Sequence, residues 1–153
     1  MCLICDRIDL ITKNQNPYFV KELETGYVVI GDHQHFLGYT LFLSKKHVSE
    51  LHYLDKDSQI QHLSDMALAS EAVATAFEAK KMNIESLGNG DAHLHWHLFP
   101  RKAGDLGNHG MSGKGPVWWL PHTEMYSEEK LITTEQLLVL KEKLLKAFDQ
   151  LES

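Results

Sequence analysis

Alternating hydrophobic and polar positions predict three β-strands in the first third of the chain. Residues 18–23 and 27–31 are separated by Glu24-Thr25-Gly26, which is the pattern of a β-hairpin. Residues 39–44 form a nearly continuous apolar run, as expected of a strand that is buried on both faces. The sheet is therefore predicted to begin with a hairpin that leads into a central strand.

Two long helices are predicted from apolar residues that recur at steps of three and four. The first begins at Asp55, a suitable N-cap residue, and continues to about Lys81. Its predicted buried stripe consists of Ile60, Leu63, Met66, Ala67, Ala74 and Phe77. The second begins at a capping box formed by Thr133 and Gln136. Its stripe consists of Leu137, Leu140, Leu144, Leu145, Phe148 and Leu151.

A second hairpin is predicted between these helices. Residues 84–87 are predicted to form a short fourth strand, followed by a tight turn at residues 88–91. Residues 93–99 are predicted to form the fifth and final strand, which pairs with the fourth. Pro100 follows and has no amide hydrogen to donate, so it is predicted to end the final strand.

Three histidines alternate with apolar residues along the final strand. Side chains on a strand point to its two faces in turn, so His93, His95 and His97 share one face while the apolar residues pack into the core. Imidazoles titrate near neutral pH, and they bind metals, transfer protons or attack as nucleophiles. The row is therefore the strongest candidate for a functional site.

Size and charge narrow the classes of function. The 153 residues suffice for one domain, predicted to span 1–153, with a core at about 18–101 and a C-terminal loop and helix at 102–153. A net charge of −6 argues against a nucleic-acid partner, because contacts with phosphate backbones need clustered Lys and Arg. No stretch approaches the ~20 apolar residues of a membrane span, and no signal-peptide pattern is present. A cytoplasmic protein with reduced thiols is expected.

Cys2 and Cys5 have the spacing of half a zinc site. Two further ligands must then come from elsewhere in the chain. A pair of half-buried structural thiols would give the same pattern, and the two cysteines alone leave both interpretations open.

Two segments after the histidine strand lack a regular pattern. Residues 104–115 are rich in glycine, but the G-x-x-x-x-G-K-[ST] pattern of a P-loop is absent, so a mobile loop is predicted. Trp118 and Trp119 follow, flanked by prolines. Adjacent residues in an extended segment point to opposite sides, so one indole is expected to be left for a contact outside the core.

The order of the elements and two motifs resemble the histidine triad family of nucleotide hydrolases and transferases. Residues 93–99, His-Leu-His-Trp-His-Leu-Phe, match the family's H-φ-H-φ-H-φ-φ signature. Residues 38–47, Gly-Tyr-Thr-Leu-Phe-Leu-Ser-Lys-Lys-His, resemble its G-H-x-L-v-x-P-K-x-H segment. Tyr39 stands where histidine is common, and Ser44 stands where proline is common. The resemblance covers about residues 18–101.

The resemblance implies an α+β fold with a five-stranded antiparallel sheet, one long helix and a C-terminal helix, usually assembled as a homodimer. It implies an enzyme that acts at the α-phosphate of an adenine nucleotide, such as a dinucleoside polyphosphate or a nucleoside phosphoramidate. His95 would form a nucleotidyl-histidine intermediate. His97 would bind the phosphoryl oxygens and hold His95 in the reactive tautomer. No organic cofactor is implied.

Further residues receive roles from the same resemblance. Asn89 stands where many members contact phosphate or the leaving group, and His93 is a second candidate for substrate binding. The Gly-Gln-Ser or Gly-Gln-Thr loop that many members carry before the triad is reduced here to Gly90-Asp91-Ala92. Some bacterial members bind structural zinc, and the matching ligands in this chain are Cys2, Cys5, His47 and His93.

Two other functions remain open. A metal-dependent hydrolase or oxygenase uses an H-x-H pair directly as ligands, although such a site normally adds a carboxylate. A nucleotide-binding regulatory module with weak or no catalysis would carry the same motif. In the implied homodimer, Trp118 or Trp119 is expected near the interface or at the rim of the nucleotide pocket.

Overall fold

The fold is seen in a computed structural model that describes residues 1–110 and 114–152. Its centre is a five-stranded antiparallel sheet of order β1-β2-β3-β5-β4. The strands are Phe19–Glu22 (β1), Gly26–Ile30 (β2), Thr40–Ser44 (β3), Lys81–Glu85 (β4) and His95–Arg101 (β5). The α-helices are Leu3–Thr12 (α1), Lys56–Phe77 (α2), His122–Met125 (α3) and Thr134–Glu152 (α4). This architecture confirms the predicted α+β class, the first hairpin and the central third strand.

The sheet separates two apolar cores of different size, one on each of its faces. On one face, α2 and α4 pack against alternate strand residues such as Val28, Phe42 and Leu98 in the main apolar core. On the other face, the intervening residues, such as Val29 and Leu43, pack against α1 in a smaller core. The histidines of β5 alternate with residues of the main core, so they lie on the α1 side of the sheet.

Two predicted boundaries in the second hairpin are wrong. β4 spans Lys81–Glu85, so residues 86–94 form a longer connection than the predicted tight turn. β5 continues through Pro100 to Arg101 and pairs with β4 over this length. Proline is tolerated there because β3 pairs with β5 only as far as Leu98, beyond which β5 has a partner strand on one side.

The long helix begins as predicted but ends earlier. Asp55 caps α2 by accepting a hydrogen bond from the backbone amide of Ser58, at 2.9 Å. The helix ends at Phe77 because Glu78 adopts the left-handed conformation, with φ of 52°. The predicted extension to Lys81 is therefore wrong.

The buried face of α2 also differs from the predicted stripe. Ile60 and Leu63 are 68% and 39% exposed, whereas His62 and Asp65 are buried. The second half of the stripe is better predicted, since Phe77 lies in the main core. Polar residues therefore take the place of apolar ones in the first half of the helix.

His62 is the centre of a chain of hydrogen bonds behind β5. Trp96 Nε1 donates to His62 Nε2 at 2.9 Å, which leaves His62 Nδ1 to donate to Thr25 Oγ1 at 2.9 Å. The Thr25 hydroxyl in turn donates to Asp65 Oδ2 at 2.7 Å. Burial lowers the pKa of His62 and keeps its ring neutral, as this pattern requires. Each of these buried polar groups therefore has a partner.

Helix α1 is not anticipated from the sequence. Cys2 forms its N-cap, and the Cys2 Sγ accepts a hydrogen bond from the backbone amide of Cys5 at 3.3 Å. Ile4 and Ile11 are its buried residues, and Ile8 packs beside them. This three- and four-residue spacing is a signal that identifies a short amphipathic helix.

The C-terminal elements follow the predicted pattern more closely. The capping box is confirmed, because Thr133 N donates to Gln136 Oε1 at 3.0 Å and Gln136 N donates to Thr133 Oγ1 at 3.2 Å.

In the part of the chain that the structure describes, no helix is long and apolar enough to cross a membrane.

The glycine-rich segment is anchored to the sheet near both of its ends. Arg101 Nε donates to Asp105 Oδ2 at 2.8 Å, and Arg101 Nη1 donates to the carbonyl of Gly115 at 2.8 Å. Residues 111–113 lie outside the described residues, so the mobile loop at 104–115 stays a prediction.

Candidate active site and metal centre

His95 is held in one tautomer by the backbone. Its side chain is 8% exposed, and Nδ1 lies 2.6 Å from the carbonyl oxygen of His93. A carbonyl only accepts hydrogen bonds, so Nδ1 carries the proton and Nε2 carries the free electron pair. The role of holding this tautomer, which the resemblance assigned to His97, is performed here by the His93 carbonyl.

His97 is paired with a tyrosine that the sequence marked only as a departure from the family pattern. The hydroxyl of Tyr39 lies 2.6 Å from His97 Nδ1. Burial raises the pKa of Tyr39, so the hydroxyl keeps its proton. Burial, and to a lesser extent the neighbouring His95, lowers the pKa of His97 to about 4. Tyr39 therefore donates to a neutral ring whose Nε2 carries the hydrogen.

The two histidines open into one cleft on the α1 side of the sheet. Their ring centres are 4.9 Å apart, and the cleft has a volume of about 240 Å³. A smaller cleft of about 150 Å³ adjoins it, since the two share Arg7 and Asp32 in their linings. This second cleft is lined largely by apolar side chains, namely Leu10, Pro17, Tyr18, Val29 and Ile30. The site thus combines imidazoles with adjacent apolar space.

The first triad histidine faces a different group of residues. His93 Nε2 donates to the carbonyl of Ser44 at 2.6 Å, which leaves the electron pair on Nδ1. That atom lies 3.6 Å from Cys2 Sγ, 3.5 Å from Cys5 Sγ and 3.1 Å from His47 Nδ1. One possible ligand atom from each of these four residues lies within 4.8 Å of the others. The predicted zinc ligands therefore come together.

These separations fit a tetrahedral zinc site. Bonds of about 2.0–2.3 Å from zinc to nitrogen and sulfur give ligand-to-ligand edges of about 3.3–3.8 Å. Cys5 Sγ and His47 Nδ1 are 3.3 Å apart, and three of the four measured separations lie within this range, with His47 Nδ1 and His93 Nδ1 slightly closer at 3.1 Å. The Ser44 carbonyl supplies the outer contact that orients a histidine ligand. The four residues thus satisfy the donor chemistry and spacing of structural zinc.

The remaining predicted positions lie outside these two groups. Asn89 is exposed in the connection after β4 and does not line the cleft, whereas Asp91 does. Trp118 lies in a 3-10 helix, donates to Glu85 Oε2 at 2.6 Å and meets the Phe99 ring edge-on. Trp118 and Trp119 are 41% and 48% exposed. Substrate contact by Asn89 and assembly through the tryptophans stay predictions.

Solved structures of histidine triad proteins share this fold. A histidine triad nucleotide-binding protein from Sulfolobus tokodaii is 21% identical, with a TM-score of 0.69, and the match covers 97% of this chain and 94% of that one. A zinc-bound histidine triad family protein from Mycobacterium smegmatis is 18% identical, with a TM-score of 0.63 and coverage of 99% and 95%. A diadenosine triphosphate hydrolase from Plasmodium falciparum is 13% identical, with a TM-score of 0.62 and coverage of 90% and 80%.

Sequence comparison identifies the family itself. No curated protein sequence gives a significant match. The sequence model of the HIT domain, however, matches residues 17–104, which is more than half of the 153-residue chain and includes all three triad histidines. This protein therefore belongs to the histidine triad (HIT) family.

Proposed function

We propose that this protein is a nucleotide hydrolase or nucleotidyltransferase that acts at the α-phosphate of an adenine nucleotide through an intermediate on His95. The observation that carries the proposal is the 2.6 Å hydrogen bond from His95 Nδ1 to the His93 carbonyl. This bond leaves Nε2 unprotonated, which is the state in which an imidazole attacks phosphorus. Dinucleoside polyphosphates and nucleoside phosphoramidates are the substrate classes of choice.

The first step forms a bond from His95 Nε2 to the α-phosphorus while the bond to the leaving group breaks. The leaving group departs with the bonding electron pair, taking up a proton from solvent where it is an amine, and the nucleotidyl group stays on the ring. In the second step, the oxygen of water or of another hydroxyl acceptor bonds to phosphorus and gives its proton to solvent, and the phosphorus–nitrogen bond breaks. A nucleoside monophosphate or its ester is released, and His95 regains its electron pair.

His97 assists as a neutral hydrogen-bond donor. Because Tyr39 donates to Nδ1, the hydrogen of His97 lies on Nε2, in the ring next to His95. A phosphoryl oxygen that gains negative charge in the transition state accepts a hydrogen bond from this N–H group. The adjoining apolar cleft, which reaches Val29 and Ile30, offers space for the nucleoside.

Zinc held by Cys2, Cys5, His47 and His93 would supply structure rather than chemistry. These residues join the beginning of α1 to the segments that follow β3 and precede β5. These residues would, when they hold zinc, stabilise the position of α1 over the histidine face. With His93 as a ligand, its side chain is not available to substrate, and the catalytic roles fall to His95 and His97.

Trapping the intermediate tests the proposal. The wild-type protein is mixed with a dinucleoside polyphosphate or adenosine phosphoramidate and quenched in alkali, where a phosphorus–nitrogen bond on histidine is stable. We expect intact-mass analysis to show the addition of one adenylyl group, and peptide mapping to place it on His95. Turnover without any trapped species at the earliest times would support a metal-dependent hydrolase. Binding without turnover would support a regulatory module.

Tyr39→Phe is predicted to lower kcat about tenfold, which corresponds to ~1.4 kcal/mol in the transition state. Without the hydroxyl, the hydrogen of His97 is free to move to Nδ1, and an electron pair then faces the phosphoryl oxygen. Steady-state kinetics measure the effect. Tyr39→His, which restores a ring donor, should recover part of the loss. The exposed Tyr53 provides a matched control, because Tyr53→Phe removes a hydroxyl that does not line the cleft. Full activity of Tyr39→Phe would contradict the role of this hydrogen bond.

We also propose a two-fold homodimer with Trp118 or Trp119 near its interface. The support is the exposure of both indoles on one short 3-10 helix, since adjacent large apolar surfaces mark interaction sites. Light scattering at micromolar concentration should give twice the chain mass, and Trp118→Ala or Trp119→Ala should shift it towards the monomer. A monomer mass for the wild type, unchanged in both variants, would show that the prediction is wrong.

A further inference from the structure

Helix α1 carries an arginine on the side that faces the sheet. Ile4 and Ile11 are buried against β2 and β3, and Arg7 lies three residues after the first and four before the second. Residues at these spacings share one face of a helix. Arg7 is half-buried rather than solvated. Its guanidinium is therefore directed along the histidine face of the sheet.

The position of Arg7 is at the border of the two clefts. It contributes to the lining of the cleft that contains His95 and His97 and to the lining of the adjoining apolar cleft. The positive charge of Arg7 lowers the pKa of Tyr39 and so partly offsets burial, which raises that pKa by more. A ligand that extends from the apolar cleft to His95 must pass beside Arg7.

The guanidinium of Arg7 has no protein partner among residues 1–110 and 114–152. Beyond the backbone bonds of the helix, the hydrogen bond found at Arg7 in these residues is to its backbone carbonyl, which accepts from Asn16 Nδ2 at 3.2 Å. By contrast, the guanidinium of Arg101, the other arginine of the chain, donates hydrogen bonds to Asp105, Asn83 and the Gly115 carbonyl. A half-buried arginine that lacks partners inside a ligand-sized cleft is available for an anion.

The positive charge of Arg7 matters for the binding of an anion because acidic side chains line the same cleft. Among the described residues, Arg7 is the only Lys or Arg that lines the histidine cleft, and the acidic side chains of Asp32 and Asp91 line it as well. Asp32 accepts from His33 Nδ1 at 3.0 Å and forms no ion pair with Arg7 in the described part of the chain. An anionic substrate therefore meets two acidic residues, and Arg7 is the group that offsets them.

We infer that Arg7 binds the α-phosphate of the nucleotide and makes α1 a part of the substrate site. The inference rests on the proposed function, because it takes the ligand to be a nucleotide. A guanidinium presents paired N–H groups that match two oxygens of a phosphate, whereas the neutral His97 offers one. In this arrangement, the cysteine–histidine group at the beginning of α1 holds a substrate-binding helix in place.

Equilibrium binding of AMP and adenosine to Arg7→Gln tests the inference. Adenosine lacks the phosphate, so the two ligands differ at the contact in question. We expect the Kd for AMP to rise on the order of tenfold or more, and the Kd for adenosine, followed at millimolar concentration, to change less than about twofold. Arg7→Lys, which keeps the charge but loses the paired N–H geometry, should fall between the wild type and Arg7→Gln.

Lys13→Gln is the matched control for loss of one positive charge. Lys13 lies at the C-terminal end of the same helix, its side chain is 58% exposed, and it pairs with Asp9 at 2.7 Å. Its replacement should leave both Kd values unchanged. Metal content and melting temperature of the three variants should equal those of the wild type.

The possible results are distinct. Equal losses for AMP and adenosine in Arg7→Gln would place Arg7 against the nucleoside and overturn the inference. Unchanged AMP binding in Arg7→Gln would overturn it as well, while leaving the proposed function intact. If the wild type binds neither AMP nor adenosine, the proposed function itself fails, and the inference fails with it.

Discussion

Replacing His95 by alanine is expected to reduce turnover by at least about a hundredfold, or ~2.7 kcal/mol of transition-state stabilisation. The adjacent histidine cannot take over the attack. In His97, Nδ1 is occupied by the Tyr39 hydroxyl and Nε2 carries the hydrogen, while His93 is turned towards the cysteines. No covalent adduct should form in the variant. Steady-state rates on an adenylated substrate provide the measurement.

The exposed His52 offers a matched control for this substitution. His52→Ala removes an imidazole from a short 3-10 helix away from the cleft and should retain full activity. Thermal melting of His95→Ala should remain close to that of the wild type, because the ring contributes one hydrogen bond to a backbone carbonyl that water can replace. If His95→Ala keeps more than about a hundredth of wild-type activity, another group is the nucleophile.

The second large effect concerns metal. The purified protein is expected to contain close to one zinc per chain, and Cys5→Ser is expected to lower the free energy of unfolding by about 4 kcal/mol or more, as loss of a structural metal does. α1 has two fully buried residues against the sheet, Ile4 and Ile11, with Ile8 beside them, so a bound metal would contribute much of its attachment. Elemental analysis and thermal unfolding are the measurements.

A chelator distinguishes this role from ordinary packing. It should lower the melting temperature of the wild type and leave that of Cys5→Ser unchanged, because the variant has no site to lose. At a temperature at which Cys5→Ser stays folded, the variant should still form the covalent intermediate and lose less in kcat than in substrate affinity, since His95 and His97 lie outside the metal group. Untagged protein without metal, and with Cys2 and Cys5 both freely titratable, would contradict the proposal.

The elements with simple local signals could be predicted from the sequence. The hairpin around Glu24-Thr25-Gly26, the Asp55 cap and the Thr133 capping box depend on short-range chemistry, and all three are present. The triad and the four cysteine and histidine residues of the candidate metal site are predicted through family motifs. Their grouping depends on the pairing of β3 with β5, which brings the segments that contain His47 and His93 together.

The missed features depend on partners that are distant in sequence. Pro100 continues a strand because its neighbour β3 has already ended, which no local rule reveals. Tyr39 is a hydroxyl donor to His97, 58 residues away in sequence, only because it directly precedes β3, which pairs with β5. Arg7 gains its significance from the helix that presents it, and that helix was not anticipated. The parts of the site that tertiary pairing creates were therefore the parts that the sequence left undetermined.

The hydrogen-bonded chain behind β5 has a consequence for how this sequence can evolve. Three successive hydrogen bonds link Trp96, His62, Thr25 and Asp65, and His62 and Asp65 are buried. An apolar replacement of His62 alone would leave the indole N–H of Trp96 without an acceptor, and a buried group without a partner costs more than an ordinary hydrogen bond contributes. Replacement of all four together removes the side-chain part of that cost, and the backbone amide of Thr25 then loses its acceptor, Asp65. Among related sequences, these positions should therefore be inherited as a set, with few viable intermediates between one set and another.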